Sequence, residues 1–310
     1  MSNKQGVFFI NNKATNLLRY WQLYIMLIPF VLFYIIFLYK PLYGIQIAFK
    51  DYSIFKGIEA SPWVGFKHFS TFFNSPYFMR TLVNTFLINL YGLVFGFPLP
   101  IILALLLNEV KNKYFKNSVQ TAIYLPHFIS TVVVAGIVTN FLAPTNGIVN
   151  IILEKLGGEK IYFLTKPEYF RTIFTSMNIW KEAGFGTIVY LSALAGIDQN
   201  LYEAAKIDGA NRWKQTLHVT MPSLVPTIVI LLILKMGSIL KVGYEAIILL
   251  YQPVTYKTAD VISTYVYRSG IADCQYDFAT AVGIFNSVVS LILVWTANRL
   301  SKRMSETSLW

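Results

Sequence analysis

Six apolar segments divide this sequence along most of its length. A helix needs about 20 mainly apolar residues to cross the roughly 30 Å hydrocarbon layer of a bilayer. Windows of this kind run approximately over Leu23–Leu38, Val83–Leu107, Val119–Leu142, Ile173–Ala195, Leu224–Val242 and Ala279–Ala297. The fourth is the weakest, because Lys181 and Glu182 interrupt it. Only 13% of the residues are charged, about half the share in a typical soluble domain. We therefore expect an all-α integral membrane protein with six transmembrane helices.

The basic residues of the chain indicate a topology rather than a nucleic-acid partner. The 26 Lys and Arg are spread along the sequence, with no basic run. With the N-terminus in the cytoplasm, the cytoplasmic segments hold about 12 Lys and Arg against about 5 Asp and Glu, whereas the longer outer segments hold about 11 against about 9. Basic residues are enriched on the inner side of membrane proteins. We expect both termini in the cytoplasm, with a tail at 1–22, a membrane domain at 23–297 and a second tail at 298–310.

The N-terminal segment has some features of a secretory signal. Lys4, Lys13 and Arg19 precede an apolar run, but no small-residue cleavage pattern follows it, which favours an uncleaved first span. The single cysteine, Cys274, has no partner for an internal disulfide. The three histidines are far apart in the sequence with no metal-ligand spacing, so we expect no metal site.

The outer segments and the second span have features of a packed bundle. The passage Lys40–Arg80 is rich in aromatic and turn-forming residues. It is typical of a docking surface for an external partner, or of a cap packed on the helix ends, and the two are compatible. In the second span, GLVFG at 92–96 permits close helix approach. Pro98 and Pro100 remove backbone donors and should bend the helix, which then needs neighbouring helices.

A polar passage interrupts the apolar segments before the fifth span. Asn200, followed three residues later by Glu203, predicts a helix start with a capping box. Asp208–Gly209 should end this short helix, because glycine readily adopts the left-handed conformation. A second short helix is expected from Asn211, with Trp213 on its apolar stripe. The result would be a compact helix–turn–helix on the cytoplasmic face.

The end of this passage completes a recognisable pattern. Pro222 occupies a natural first-turn position for the fifth span. The polar residues are spaced as Glu203-Ala204-Ala205, Gly209, Val219 and Met221-Pro222. This spacing resembles the motif of permease subunits of bacterial ABC importers, although Val219 and Met221 replace the usual Ile and Leu. The passages KPLYGIQIAFKDYSIFKGIEASPWVGFKHF and DVISTYVYRSGI are similar to the carbohydrate-uptake, maltose-permease-like branch, specifically to LplB-type polysaccharide permeases, over nearly the whole chain.

The resemblance implies a type I ABC importer transmembrane domain with a coupling helix in the loop 196–222. In such proteins the motif sits in a cleft of the ATPase subunit. The residues implicated in coupling are Glu203, Ala204, Ala205, Asp208, Gly209, Trp213 and Pro222. The alternative is an amphipathic helix lying on the membrane surface, which would favour a basic polar face and a broad apolar one. The alanine-rich face fits that alternative poorly.

Charged side chains within the spans indicate a substrate path. They are costly in a bilayer and usually face a bundle interior or an aqueous pathway. Aromatic faces and charged or amide groups together are typical of sugar binding. We expect the path to be lined by Trp180, Lys181, Glu182, Tyr190, Lys235, Tyr244 and Glu245. Alternatively, Lys181 or Lys235 pairs with a carboxylate across the bundle; Lys235 would also suit the carboxylate of an acidic sugar.

The chain is predicted to be a transport subunit and not an enzyme. It has no GxxxxGK[ST] phosphate loop, so no cofactor is expected on this chain, and ATP and Mg²⁺ would bind a partner ATPase. The resemblance implies a second related permease, a cytoplasmic ATPase dimer, an extracellular solute-binding lipoprotein and an oligosaccharide substrate in the cell membrane. The alternative is a secondary transporter driven by an ion gradient, which usually has an inverted internal repeat. No such repeat is evident.

Overall fold

The structure is a computed structural model that describes residues 20–238, 240 and 242–304. Helices α1 to α14 cover Trp21–Phe49, Gly57–Ala60, Lys67–Phe73, Pro76–Glu109, Lys113–Phe128, Thr131–Phe141, Ile148–Lys155, Pro167–Ala195, Gln199–Ile207, Arg212–Gly237, Tyr244–Leu250, Tyr256–Ala259, Ile262–Tyr267 and Tyr276–Met304. Within these described ranges there is no strand, and one β-bridge joins Lys50 to Trp63. The predicted all-α class is confirmed.

Four helices are long and apolar enough to cross a membrane on their own, counting only the part of the chain that is described. They are α1, α4, α10 and the stretch Tyr276–Arg299 of α14. The third predicted span is not one straight helix, because α5 and α6 meet at an angle of 100°. Pro126 lies in the 3₁₀ turn that ends α5, and Ser130 starts α6 by accepting a hydrogen bond from the Val133 N–H.

The fourth predicted span lies within α8, which has 29 residues but carries charged side chains. The fifth extends beyond α10 and includes Ile239 and Lys241, which lie outside the described residues. The same holds for residues 1–19 and 305–310 of the two predicted tails. The described helices therefore support four or five apolar spans directly.

Helix α4 passes through its two prolines without breaking. A wider π-type turn at Gly92–Gly96 precedes Pro98, and the Phe97 N–H bonds the carbonyl of Gly92 at 3.1 Å. This turn accommodates the proline within the helix itself. Of the two glycines, Gly96 faces Ile179 of α8, whereas a side chain on Gly92 would meet open space. The GLVFG pattern therefore provides one close contact rather than two.

The closest helix approach occurs at Gly184 of α8, which sequence reasoning did not single out. A Cβ atom there would overlap the backbone carbonyl of Ile123 in α5. Two residues further on, a Cβ on Gly186 would lie 3.1 Å from the Pro100 ring of α4. Helix α8 thus lies between α4 and α5, and it packs against α10 as well.

One end of the bundle, which we call the loop end, is joined by a buried carboxylate. Asp260 is completely buried and pairs with Arg80 of α4 at 2.9 Å and with Arg268 at 2.8 Å. The Asn84 amide donates to the Asp260 carbonyl at 2.9 Å, and its oxygen accepts from Arg171 of α8 at 2.8 Å. We call Arg80, Arg171 and Arg268 the arginine cluster. It connects two helices of the bundle to the segment 253–272.

The aromatic passage after α1 forms a cap at the loop end. Phe49 stacks on Trp63 with ring centroids 5.6 Å apart, and the buried His68 ring has its Nε2 2.9 Å from the Lys50 carbonyl oxygen. The Tyr52 N–H donates to Asp277 at the start of α14 at 3.1 Å. Trp63 nevertheless leaves 64% of its surface exposed. The passage therefore packs as a cap on the helix ends, and its exposed rings are compatible with an additional docking role.

Candidate functional site

Helix α9 forms an exposed surface at the opposite end of the bundle. Its N-cap is Asp198, whose carboxylate accepts from the Asn200 N–H at 3.0 Å. The predicted cap at Asn200, with a capping box to Glu203, is therefore wrong by two residues. Helix α8 ends at Ala195, so the first capping side chain available after it is Asp198. The predicted helix itself is present.

The end of α9 is the predicted one. Gly209 has a φ of +77°, in the left-handed region that favours glycine. The Ala210 N–H bonds the Ala205 carbonyl at 2.8 Å, and the Gly209 N–H bonds the Lys206 carbonyl at 3.0 Å. These two bonds are the Schellman arrangement, which satisfies the last carbonyls of a helix.

The segment after Gly209 differs from the prediction. Asn211 caps the next helix as expected, accepting from the Lys214 N–H at 2.9 Å. However, that helix does not end before the membrane, because α10 continues through Pro222 to Gly237. A π-type turn at Thr216–Thr220 precedes Pro222, as another precedes Pro98 in α4. The second short helix is therefore continuous with the fifth span, and Pro222 lies in the first turn of the regular α-helical part, Met221–Gly237, as predicted.

One hydrogen bond attaches α9 to α10, and a second attaches α10 to the turn that follows α9. The Tyr202 hydroxyl lies 2.9 Å from the Thr220 hydroxyl, and the buried Gln215 amide donates to the Ala210 carbonyl at 2.7 Å. Sequence reasoning did not single out Tyr202, Gln215 or Thr220. Because Thr220 and Gln215 belong to α10, these bonds join α9 and the turn after it to that longer helix.

Several of the predicted coupling residues lie together on the surface. Glu203, Ala204, Asp208 and Gly209 are exposed, and Ala205 is half-buried. Large apolar side chains accompany them: Ile207 is 87% exposed and Trp213 is 74% exposed. A surface of this kind, with small residues beside exposed apolar ones, is suited to contact with another protein.

A cavity of about 570 Å³ lies between α4, α8 and α10. Of the predicted path residues, Glu182, Tyr190 and Lys235 line it. The structure does not bring Trp180, Lys181, Tyr244 and Glu245 into the lining; the neighbouring Gly243 and Ala246 are there instead. Charged and aromatic side chains therefore do line one cavity, but fewer of the predicted residues belong to its lining than expected.

The two charged residues of the fourth span have different partners. The Lys181 ammonium donates to the Thr131 hydroxyl at 3.0 Å, so its side chain holds the start of α6. Glu182 pairs with His127 at 2.9 Å, and the His127 ring stacks on Phe185 with centroids 3.9 Å apart. Both contacts lie at the bend between α5 and α6. Lys181 is bonded to a hydroxyl here, rather than to a carboxylate across the bundle.

The cavity has polar groups that the sequence reasoning overlooked. Asn89, Thr175, Asn178 and Ser238 all line it. Thr175 is 95% buried, since its exposed fraction is 5%, and its hydroxyl has no hydrogen-bond partner in the described structure. Thr175, Asn178 and Glu182 follow at i, i+3 and i+7, so helical spacing on the weakest span was the available signal.

Arg268 of the arginine cluster keeps its charge. Burial acts to lower its pKa, but the hydrogen bonds and negative charge of Asp260 outweigh burial and raise the pKa above the ordinary arginine value. Rings flank the cluster: the Arg268 guanidinium lies 4.9 Å from the centre of Tyr256, and that of Arg80 lies 4.9 Å from the centre of Tyr77. Arg268 is therefore cationic at every physiological pH.

The chain matches a known family model and curated proteins. Residues 96–306 match the model described as binding-protein-dependent transport system inner membrane component. Protein LplB of Bacillus subtilis (strain 168) is 45% identical over 93% of this chain and 91% of its own length. The polygalacturonan/rhamnogalacturonan transport system permease protein YteP of the same organism is also 45% identical, over 95% of this chain and 92% of YteP.

A solved structure is similar over nearly the whole fold. It is the crystal structure of a bacterial alginate ABC transporter in complex with an alginate pentasaccharide-bound periplasmic protein. The matching chain is 51% identical, with a TM-score of 0.89, and the match covers 96% of the present chain and 100% of that one. Sequence and fold thus agree on the same group of proteins.

Proposed function

The chain belongs to the family of binding-protein-dependent transport system inner membrane components, and on that premise we propose that it forms half of the path of an imported oligosaccharide. It is an ABC importer permease, a transport component and not an enzyme. The comparisons favour this function over the ion-gradient transporter considered from the sequence. A second, related permease would complete the path, with a binding protein delivering the sugar.

The observation that carries the proposal is the attachment of α9 to α10. An exposed helix stops before Gly209, and its Tyr202 bonds Thr220 of α10. Gln215 of α10 bonds the Ala210 carbonyl in the turn that follows the exposed helix. Further along, α10 supplies Lys235 to the cavity. A force on α9 therefore reaches the cavity wall through one continuous helix, which is the connection that an external ATPase needs to drive transport.

In the proposed mechanism, a partner ATPase dimer binds ATP and Mg²⁺ and closes. The exposed α9 follows that movement, with Glu203 meeting a basic group of the ATPase and Ala204 and Ala205 allowing close contact. Asp208 and Gly209 fix the bend, and Trp213 and Pro222 belong to the part of α10 that responds. The cavity then opens alternately to the two sides of the membrane.

The proposed topology has six spans and cytoplasmic termini. The two spans that composition does not establish on their own are α8 and the bent pair α5–α6. The six-span order requires the end of α4 and the start of α10 to lie on the same side of the membrane. The Glu109–Arg212 contact at 3.8 Å, beside α9, supports this arrangement. The excess of basic residues in the same segments favours the cytoplasm for this end.

We further propose that the oligosaccharide is acidic. Lys235 is exposed to the cavity and has no ion-pair partner among the described residues. The names of similar proteins include alginate and polygalacturonan, which are polymers of uronic acids. A cationic group in the path would compensate part of the cost of moving a carboxylate through a low-dielectric space.

The coupling role is tested by Glu203→Ala and Gly209→Val in the reconstituted transporter. Valine must adopt a left-handed conformation that costs roughly 1–2 kcal/mol, so the bend after α9 should be lost. We expect uptake into proteoliposomes to fall about tenfold or more, the scale of a coupling free energy of 1–3 kcal/mol. ATP hydrolysis should continue without stimulation by the binding protein.

Matched controls exist for both changes. Gly157 has a φ of +85° with open space around it, so Gly157→Val introduces similar strain at the loop end. Glu154 is an exposed carboxylate on α7, so Glu154→Ala matches the charge removed. Wild-type coupling in both α9 variants, or equal loss in the Gly157 control, would refute the coupling role of α9.

The path role of Lys235 is tested by Lys235→Met, which keeps the length and removes the charge. We expect uptake of acidic oligosaccharides to fall about tenfold, since a hydrogen bond to a charged group contributes about 1.5–3 kcal/mol. Uptake of neutral oligosaccharides should change less, and Lys235→Arg should retain most of the acidic uptake. Equal loss for acidic and neutral sugars would eliminate a charge-reading role for Lys235.

A further inference from the structure

The arginine cluster carries more positive charge than its surroundings balance. Two of its three guanidinium groups, those of Arg80 and Arg268, share the single carboxylate of Asp260, and within the described residues no other acidic side chain lies within ion-pair distance of the three. Among the same residues, Arg171 bonds only the neutral amide oxygen of Asn84. The Nε atoms of Arg80 and Arg171 are buried and have no acceptor in the described structure. Such groups are costly to leave unpaired.

Part of the cluster remains reachable. The side chains of Arg80 and Arg268 are 30% and 25% exposed, whereas Asp260 is fully buried. An incoming ligand would therefore meet the guanidinium edges and not the carboxylate. Tyr77, whose ring adjoins Arg80, is 45% exposed and offers an aromatic face beside the positive charge.

The cluster lies on the helix faces that continue into the cavity. On α8, Arg171, Thr175 and Asn178 follow at i, i+4 and i+7, which places them on one face about 10 Å in length. Thr175 and Asn178 line the cavity. On α4, Ile88 lies two turns beyond Arg80 on the same face and also lines the cavity. Both helices thus run from the cluster to the cavity.

An apolar layer separates the arginine cluster from the cavity in this conformation. Ile88, Phe174, Val242 and Ala246 belong to one buried core cluster and also line the cavity. Ile88 follows Asn84, and Phe174 follows Arg171, by about one helical turn. A ligand at the arginine cluster would therefore be held outside a closed apolar layer, with the unpaired hydroxyl of Thr175 next along the same face.

From this geometry we propose that Arg80, Arg171 and Arg268 form a carboxylate-binding site for the acidic oligosaccharide at the loop end of the path. The inference rests on the proposed function and adds a second, outer subsite to it. Arginine is suited to this role because its planar fork pairs with carboxylates in bidentate fashion. A carboxylate of the sugar would supply the acceptor that Arg171 lacks.

The test uses the purified complex of this chain with its partner permease and ATPase, without ATP or the binding protein. The probes are the trimer of galacturonic acid and its fully methyl-esterified form, which is neutral but otherwise matched. We expect the acid to bind about tenfold more tightly than the ester. Arg171→Gln can still donate to Asn84, and it should reduce that preference severalfold without weakening ester binding.

Two further variants keep the test decisive. Arg171→Lys retains the charge and should retain part of the preference for the acid. Arg299→Gln removes a guanidinium that lies over Trp295 in the last part of α14, away from the arginine cluster. It should change the affinity for neither probe. Equal affinity for the two probes in the wild type, or an unchanged preference in Arg171→Gln, would overturn the site.

One remaining outcome concerns the binding protein. If Arg171→Gln weakens docking of the binding protein but leaves the affinity for both probes unchanged, the carboxylate belongs to that protein, and the sugar site is rejected. The proposed function is judged separately, by ATP-dependent uptake and its dependence on Gly209. The binding measurement involves neither, so each proposal can fail without the other.

Discussion

Replacing Gly184 with alanine is expected to destabilise the protein by about 3 kcal/mol, the upper end of the usual cost of over-packing. The added methyl group would overlap the backbone carbonyl of Ile123. A backbone atom within a helix cannot move aside as the end of a flexible side chain can, so α5 and α8 must separate. The neighbouring His127–Glu182 contact at 2.9 Å should be disturbed at the same time.

The measurement is the free energy of unfolding in mixed detergent micelles, titrated with a denaturing detergent. Gly136 on α6 provides the control, because a Cβ there meets nothing within 4 Å. Gly136→Ala should be neutral or stabilising by roughly 0.5–1 kcal/mol, since alanine has the better helix propensity. If Gly184→Ala is as stable as this control, α5 and α8 do not pack as closely as described.

The local features of the α9 passage could be predicted because short-range chemistry determines them. Only glycine readily adopts the conformation needed after a helix of this kind, so Gly209 marked the end of α9. The start was less certain from sequence, because Asp198 and Asn200 are both good N-caps. The choice depends on where α8 ends, and that is a property of the longer helix.

The effect of the prolines on helix continuity was not predicted correctly, and the reason is physical. A proline removes one backbone donor, and the expectation is a break or a first-turn position. In both α4 and α10 a π-type turn precedes the proline and the helix continues. Single residues do not indicate such a turn, so the continuity of the short helix with the fifth span across Pro222 was not predicted.

The charged residues that line the cavity were predicted from the sequence, whereas its neutral polar residues were missed. Lys235 and Glu182 stood out because a charge in an apolar segment is costly. Thr175 and Asn178 did not, because threonine and asparagine are tolerated in membrane helices. Their helical spacing with Glu182 would have identified them. The contacts of Asp260 could not be read this way, because 180 residues separate it from Arg80.

Replacing Asp260 with alanine is expected to destabilise the protein by about 3–5 kcal/mol, the cost of leaving a buried ion-pair partner uncompensated. The carboxylate is fully buried, pairs with Arg80 and Arg268, and accepts a hydrogen bond from Thr264 at 2.9 Å. Its removal leaves two guanidinium groups facing one another without a counter-charge. The segment 253–272 should then detach from α4 before the rest of the bundle unfolds.

The effect should depend on which partner is removed. Arg80→Gln leaves Asp260 paired with Arg268, so we expect it to cost clearly less than Asp260→Ala, with Asp260→Asn in between. Asp273→Ala removes an exposed carboxylate from the segment 243–278 and should have little effect. Unfolding free energies and limited proteolysis of the segment 243–278 measure these differences. If Arg80→Gln costs as much as Asp260→Ala, the stability of the loop end comes from the Arg80 contact alone, and Asp260 does not act as the shared counter-charge of the cluster.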